Sequence, residues 1–245
     1  MEIEGRIAIV TGAARGIGRA TGVALAQAGA RSVALVDVKA HELAEAADLV
    51  TDAGAEALPL EADVANLDSL RAVFAEVVSR YECLDILHNN AGIGEGPPEW
   101  PEITPERSMA VVDVNLRGVI LGTHLALPIM QRGNGGAIVQ TASGSAFMPL
   151  PPQAVYAATK AGVVHFTRSC IPLQETHGVR VNCVCPGLVN TDMPQEGGVD
   201  GVAPWLRTAW ESANLLQPED IAEAVLSLVR DDSKAGEVLE VDNPA

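Results

Sequence analysis

The feature that most restricts the fold is an alternation sustained along all 245 residues. Seven short runs, "RIAIVT", "SVALVD", "AEALPLEAD", "LDILHNN", "GAIVQTAS", "VRVNCVCPG" and "EVLEV", are rich in Val, Ile and Leu and bounded by Gly, Pro, Asn or Asp. Continuous apolar character over so short a length suits strands covered on both faces. Between them lie longer stretches with helical spacing, such as "IGRATGVALAQAG", "AHELAEAADLVTDAG" and "LDSLRAVFAEVVSRY". Strands that alternate with helices in this way predict an α/β fold, a doubly wound parallel sheet in one domain over residues 1–245.

Two connections depart from the pattern. Residues 94–104, "GEGPPEWPEIT", form a Gly/Pro-rich loop, and residues 188–217 hold "PQEGGVDGV" followed by Trp205 and Trp210. A long irregular excursion after a late strand is expected to be a lid over a binding site.

Hydrophobic residues make up 48% of the chain and charged residues 20%, enough apolar matter for a sizeable core. The formal net charge of −16 repels phosphate backbones, so nucleic acid is not an expected partner. "MEIEGRIAIVTG" has no basic and apolar leader pattern, and the apolar runs stop well short of the roughly 20 residues a bilayer span needs. A cytoplasmic protein without membrane partners is expected. The four cysteines, Cys83, Cys170, Cys183 and Cys185, lack metal-ligand spacing and read as buried free thiols. Cys183 and Cys185 flank Val184 in one strand, so both should point to one face. No metal site is expected.

Directly after the first strand comes "TGAARGIG", with Gly12, Gly16 and Gly18 at a strand-to-helix turn. There a backbone can approach a pyrophosphate, and free N–H groups with the helix dipole favour the anion. Asp37 closes the second strand, where a carboxylate accepts hydrogen bonds from the adenosine ribose and repels a 2′-phosphate. Val38 beside it offers no compensating charge, and Arg15 in the turn is outweighed, so NAD(H) is expected over NADP(H). Asp63 and Val64, after the third strand, fall where an adenine edge would rest. "NNAG", residues 89–92, follows the fourth strand; its amides can tie strand ends together and leave room for a cofactor.

The pair Tyr156 and Lys160 in "VYAATK" lies four residues apart, on one face of a helix. Tyrosine titrates near pH 10, so it is a poor base alone. A cationic Lys160 and a positive nicotinamide ring beside it would lower that value and suit alcohol dehydrogenation. Ser143 in "QTASGS" can donate a hydrogen bond to the reacting oxygen.

Taken together, "TGAARGIG", Asp37, "NNAG", Asn115 in "DVNLRG", Ser143, "YAATK" and "CPGLVNT" resemble a short-chain dehydrogenase/reductase in order and spacing along essentially the whole chain. The resemblance implies a Rossmann-type sheet of order 3-2-1-4-5-6-7. It makes Tyr156 the general acid/base, Lys160 the ribose binder, Ser143 the substrate-oxygen donor and Asn115 the holder of a relay water. It also implies a cofactor site built from Gly12, Arg15, Gly16, Ile17, Gly18, Asp37, Asp63, Val64, Asn90, Ala91 and Gly92, with Tyr156 and Lys160. Pro186, Gly187, Val189 and Thr191 would shape the nicotinamide end, with Thr191 bonding the carboxamide. The stretch around "SGSAFMPLPPQAVYAATK" is similar to the NAD-linked hydroxyprostaglandin dehydrogenase branch, where Gln153 matches a substrate-contacting glutamine. The "VDNPA" end lacks the glycine common in tetrameric relatives. His88 stands where the family often has an aliphatic residue and reads as a partly buried, hydrogen-bonded histidine.

Met193, Trp205, Leu206 and Trp210, with Phe147, Met148 and Leu150, suggest an apolar pocket for a bulky alcohol or ketone. Rival readings are a 3-oxoacyl-thioester reductase, which usually takes the NADPH that Asp37 disfavours, and a non-catalytic nucleotide sensor. The sensor predicts losses among Ser143, Tyr156 and Lys160, and none is lost. By resemblance, helices starting near Thr104 and Val155 would form a homodimer interface, with a homotetramer left open.

Overall fold

The computed structural model describes residues 1–195 and 201–244. Part of the expected lid, residues 196–200, therefore lies outside the described residues. β1 (Ile7–Thr11) leads into α1 (Gly16–Gln27), β2 (Ser32–Asp37) into α2 (Ala40–Asp52), and β3 (Glu56–Glu61) into α3 (Leu67–Tyr81). After β4 (Ile86–Asn89), α4 (Pro105–Val112), a π-helical turn (Asp113–Arg117) and α5 (Gly118–Arg132) follow one another. Then come β5 (Gly136–Thr141), α6 (Ala154–Ser169), α7 (Leu173–His177) and β6 (Val179–Pro186). The last third adds α8 (Asp192–Gln195), α9 (Pro204–Ser212), α10 (Pro218–Arg230) and β7 (Val238–Val241).

The seven strands form one sheet in the order β3-β2-β1-β4-β5-β6-β7, and every neighbouring pair is parallel. Successive strand side chains point to opposite faces. Ala8, Val10, Val33 and Leu35 pack with Leu25 of α1, Leu43 of α2 and Ile221 and Val225 of α10. Ile7, Ile9, Ala34 and Val36 face the other side, with Leu70 and Phe74 of α3 and Met130 of α5. Cys183 and Cys185 share the layer of Val163 and Val164 of α6, while Val184 faces the opposite core, as the strand period requires. The apolar runs of the sequence are continuous because both faces are covered.

After β3 the chain crosses back to set β4 beside β1, which reverses the direction in which strands are added. At such a switch point the loops leaving adjacent carboxyl ends diverge and open a crevice. The loops that carry the sequence motifs leave the sheet at this same end.

Helical residues 105–132 form a stretch long and apolar enough, by length and composition, to cross a bilayer. Short apolar runs in the sequence fuse because Pro105, after the Thr104 cap, opens a helix that continues through the π turn. In the fold this stretch is a core helix: Val111, Val119, Ala126 and Met130 are buried, with Met130 packed on the sheet-facing cluster.

α5 approaches β4 closely at Gly122. A Cβ there would overlap Asn89 Oδ1. Asn89 is buried and donates through Nδ2 to Gln140 Oε1 at 2.8 Å, with Thr123 Oγ1 at 3.3 Å. Gly122→Ala is therefore expected to lower stability by about 1–3 kcal/mol, through overpacking against a buried amide. Chemical denaturation would read this, and a midpoint unchanged from wild type would show that the helix has room to shift.

Candidate active site

The glycine turn is held open by its backbone. Gly12 has φ 64° and Gly16 φ 55°, and a Cβ on Gly12 would come within 2.8 Å of Ala91 Cα. A side chain is disfavoured on both counts: left-handed φ and contact with the next loop. Gly18 packs the first turn of α1 onto the Gly12 carbonyl. Among the described residues no side chain caps α1, so its first-turn N–H groups face the crevice end without a side-chain acceptor from them. Such a cradle fits a pyrophosphate. Ile17 lies half-buried in the same turn.

Asp37 stands at the end of β2. Its Oδ2 accepts from Ala14 N at 3.1 Å and its Oδ1 from Lys39 N at 3.1 Å, so it joins the glycine turn to the start of α2. Arg15 donates to Asp192 Oδ2 at 2.8 Å and lies 4.0 Å from Glu42 Oε2. Its guanidinium is thus engaged by carboxylates. Asp63 makes a local turn, with Oδ1 accepting from Ala65 N at 2.9 Å, and Val64 is buried against Gly118.

Asn90 binds the strand ends. Its Nδ2 donates to Thr11 O at 3.0 Å and Gly12 O at 3.3 Å, and its Oδ1 accepts from Thr141 Oγ1 at 3.2 Å. Thr11 Oγ1 in turn accepts from Asn90 N and Ala91 N. One amide and two hydroxyls therefore link the ends of β1, β4 and β5 with the glycine turn.

Asn115 sits in the π-helical turn and is fully buried. Its Oδ1 accepts from Ile93 N at 2.8 Å and its Nδ2 donates to Ile93 O at 2.9 Å. Lys160 and Asn115 converge on Gly92, where a Cβ would lie 3.4 Å from Lys160 Nζ and 3.5 Å from Asn115 Oδ1. The sequence signals this convergence only through the resemblance. π turns inside α-helices recur at functional sites.

Lys160 is buried, and its Nζ donates to Thr141 O at 2.8 Å and stands 5.6 Å from the Tyr156 ring centroid. Burial lowers its pKa to about 8, which leaves it largely cationic at pH 7. Tyr156 is half-buried, and its pKa is raised by desolvation, against which the Ser143 hydrogen bond acts in the lowering direction. Without a bound nicotinamide the protein thus moves Tyr156 upward, because desolvation outweighs the Ser143 hydrogen bond. Ser143 also accepts from Ser145 N at 3.2 Å, which fixes its hydroxyl beside the phenol.

Beyond β6, Thr191 lies against the glycine turn, with its Cγ2 at 3.3 Å from a Cβ built on Gly16. Thr191 N donates to Val189 O at 2.8 Å, and Pro186 closes β6 ahead of Gly187. Gln153 is buried and its Oε1 accepts from Glu95 N at 2.9 Å, so the carbonyl half of its amide is committed to the protein. Of the side chains expected to line an apolar pocket, Phe147, Met148 and Met193 are exposed, and Trp205, Leu206 and Trp210 are half-buried.

A family model described as short chain dehydrogenase matches residues 6–199. The chain belongs to the short chain dehydrogenase family. The human 15-hydroxyprostaglandin dehydrogenase [NAD(+)] is 35% identical, over 98% of this chain and 92% of that protein. A 3-oxoacyl-[acyl-carrier-protein] reductase from Synechocystis is 34% identical, over 97% of this chain and 95% of that one. The crystal structure of a 3-ketoacyl-(acyl-carrier-protein) reductase from Brucella melitensis complexed with NADH superposes with a TM-score of 0.87 at 31% identity, covering 98% of each chain. As a member of this family the protein is an oxidoreductase.

Four residues of this short chain dehydrogenase gain importance only in three dimensions. Thr11 and Thr141 fasten Asn90, and Glu95 accepts from Tyr156 N at 2.8 Å. Asn243, where the family glycine is missing, accepts from Leu188 N at 2.8 Å and donates to Leu188 O at 2.7 Å. Thr and Asn in loops carry no distinctive sequence signal, although the departure from glycine at Asn243 was a visible one.

His88 corrects one expectation: it is fully buried, and its Nδ1 has no partner among the described residues. Its Nε2 lies 2.9 Å from Thr141 Oγ1, whose single proton goes to Asn90 Oδ1, so the imidazole must donate from Nε2. Burial depresses its pKa to about 3. The unfolded chain, with His near 6.5, then binds the proton first, so stability is full above pH 6.5 and is lost as pH falls towards 3. His88→Leu should remove a slope approaching about 1.4 kcal/mol per pH unit. Urea unfolding of both proteins at pH 7 and pH 5 measures it; equal losses in the two would assign the acid sensitivity elsewhere.

Proposed function

We propose that this oxidoreductase interconverts a secondary alcohol and a ketone with NAD(H), over a single domain of residues 1–245 with residues 188–217 as its substrate cover. The observation that carries the reading is the grouping of Ser143, Tyr156, Lys160 and Asn115 at the carboxyl ends of β4 and β5, beside a glycine turn with open helix amides. The NAD(+) in the name of the human relative and the NADH of the Brucella complex support the choice of cofactor.

The residues fit that group. Gly12, Arg15, Gly16, Ile17 and Gly18 would surround the pyrophosphate, Asp37 the adenosine ribose, and Asp63 and Val64 the adenine. Asn90, Ala91 and Gly92 would flank the middle of the dinucleotide, and Pro186, Gly187, Val189 and Thr191 its nicotinamide end. Asp37 repels a 2′-phosphate, and the carboxylates on Arg15 leave little cationic character to offset it. When bound, NAD supplies the hydride acceptor and the positive charge of its oxidised ring.

Ser143 donates a hydrogen bond to the reacting oxygen, and Tyr156 takes the hydroxyl proton as the carbinol carbon loses hydride. Because burial raises Tyr156, its phenolate needs neighbouring positive charge, which Lys160 and the oxidised ring provide together. Lys160 holds the nicotinamide ribose, and Asn115 keeps Ile93 and the adjacent Gly92 against it. Gln153 offers substrate its Nε2, and Met193 an apolar contact. Exposed Phe147 and Met148 support a bulky, apolar substrate. Met109 and Ile120, exposed on the α4–α5 run, support a homodimer through that helix and α6.

A panel of secondary alcohols with NAD⁺ and NADP⁺, followed by cofactor absorbance, tests the reading. NAD⁺ should be strongly preferred, and an equal rate with NADP⁺ would overturn the role given to Asp37. Tyr156→Phe should cut kcat by about 10²–10⁴-fold while NADH still binds. Substantial turnover in that variant would remove Tyr156 from its role.

A further inference from the structure

The loop after "NNAG" carries a carboxylate that the chemistry above does not use. Glu95 is buried. Among the described residues its Oε2 has no hydrogen-bond partner, while its Oε1 accepts from the backbone N–H of Tyr156 at 2.8 Å. A carboxylate removed from water with one donor is costly, so its retention at this position calls for a compensating role.

Its setting supplies one. Tyr156 is the third residue of α6, where an orphan first-turn N–H needs an acceptor. The N-cap residue, Gln153, gives no side-chain cap of its own, and instead its Oε1 accepts from Glu95 N at 2.9 Å. Glu95 thus donates its N–H to the Gln153 side chain and accepts the N–H of Tyr156, so the loop and the first turn of α6 are tied by two hydrogen bonds, much as a capping box ties the ends of one turn. The loop is pinned from behind by Arg107 of α4, which donates to Glu95 O at 3.0 Å and Gly94 O at 2.6 Å. A negative carboxylate at this end of α6 also complements the helix dipole.

We propose that Glu95 is a positioning residue for Tyr156, capping from outside the helix the turn that carries the phenol and fixing it against Ser143. This rests on the role given to Tyr156 above. The capping acceptor, rather than the charge, sets the placement.

The test compares Glu95→Leu, which removes the acceptor, with Glu95→Gln, which keeps it at the same reach. With whichever alcohol of the panel is oxidised, Glu95→Leu should lose kcat on the order of 10²-fold, the scale of a small misplacement, with KM and NADH affinity moving less than about twofold. Glu95→Gln should retain kcat within about threefold of wild type. Amide hydrogen exchange at the start of α6 should quicken in Glu95→Leu and not in Glu95→Gln. An undiminished kcat in Glu95→Leu, a loss confined to KM, or a Glu95→Gln as impaired as Glu95→Leu would overturn the proposal. Should Glu95→Leu fail to fold, Glu95→Asp, one methylene short, replaces it with an expected loss of about 10-fold against the intact Glu95→Gln. If wild type oxidises no alcohol, the dehydrogenase reading fails by itself. The exchange measurement still decides the cap, and unchanged exchange at Tyr156 refutes it.

Discussion

Everything at the carboxyl end of the sheet depends on the fastening of three strand ends through Asn90. Its amide reaches the carbonyls of Thr11 and Gly12 on one side and the hydroxyl of Thr141 on the other. The glycine turn, the "NNAG" loop and the strand that delivers Ser143 therefore share one hydrogen-bonded frame. Without that frame the switch point would still open a crevice, but the groups around it would have no fixed mutual distance. Hydrogen bonds shielded from water are stronger electrostatically and costly to leave unmade, so the frame is rigid where the chemistry needs precision. His88 extends it inward through Thr141 and leaves one buried nitrogen without a partner.

A second theme is buried charge close to the phenol. Lys160 is held by Thr141 O, and its ammonium is depressed by desolvation without losing its charge at neutral pH. Glu95 places a carboxylate at the start of the same helix, where it accepts from Tyr156 N, while Lys160 Nζ stands 5.6 Å from the Tyr156 ring centroid. The phenol is raised by burial and opposed by Ser143. Burial thus favours the protonated phenol, and the Ser143 hydrogen bond acts against it.

Much of the fold was legible because two periodicities are hard to counterfeit. The apolar runs could only be strands buried on both faces, and their helical spacers forced a doubly wound parallel sheet. The glycine turn, Asp37, Ser143 and the Tyr156–Lys160 spacing were likewise readable, since backbone approach, charge and helical geometry each demand particular residue types. The continuity of the helical stretch at residues 105–132 was not legible, because a proline opens one helix and a π turn lies inside it. The lid's apolar side chains were grouped by type, yet the structure leaves Phe147, Met148 and Met193 exposed.

The sequence by itself determined the layer architecture, the glycine turn after β1 and the spacing of Ser143, Tyr156 and Lys160, because these follow from local spacing and side-chain chemistry. Tertiary structure alone decided what surrounds them. That Glu95 caps the helix of Tyr156 from 61 positions away depends on which loops meet. That Asn243 clasps Leu188 across 55 positions does so as well. The direction of the Tyr156 shift was equally invisible, since desolvation is a property of everything packed around a group and no neighbour in sequence reports it.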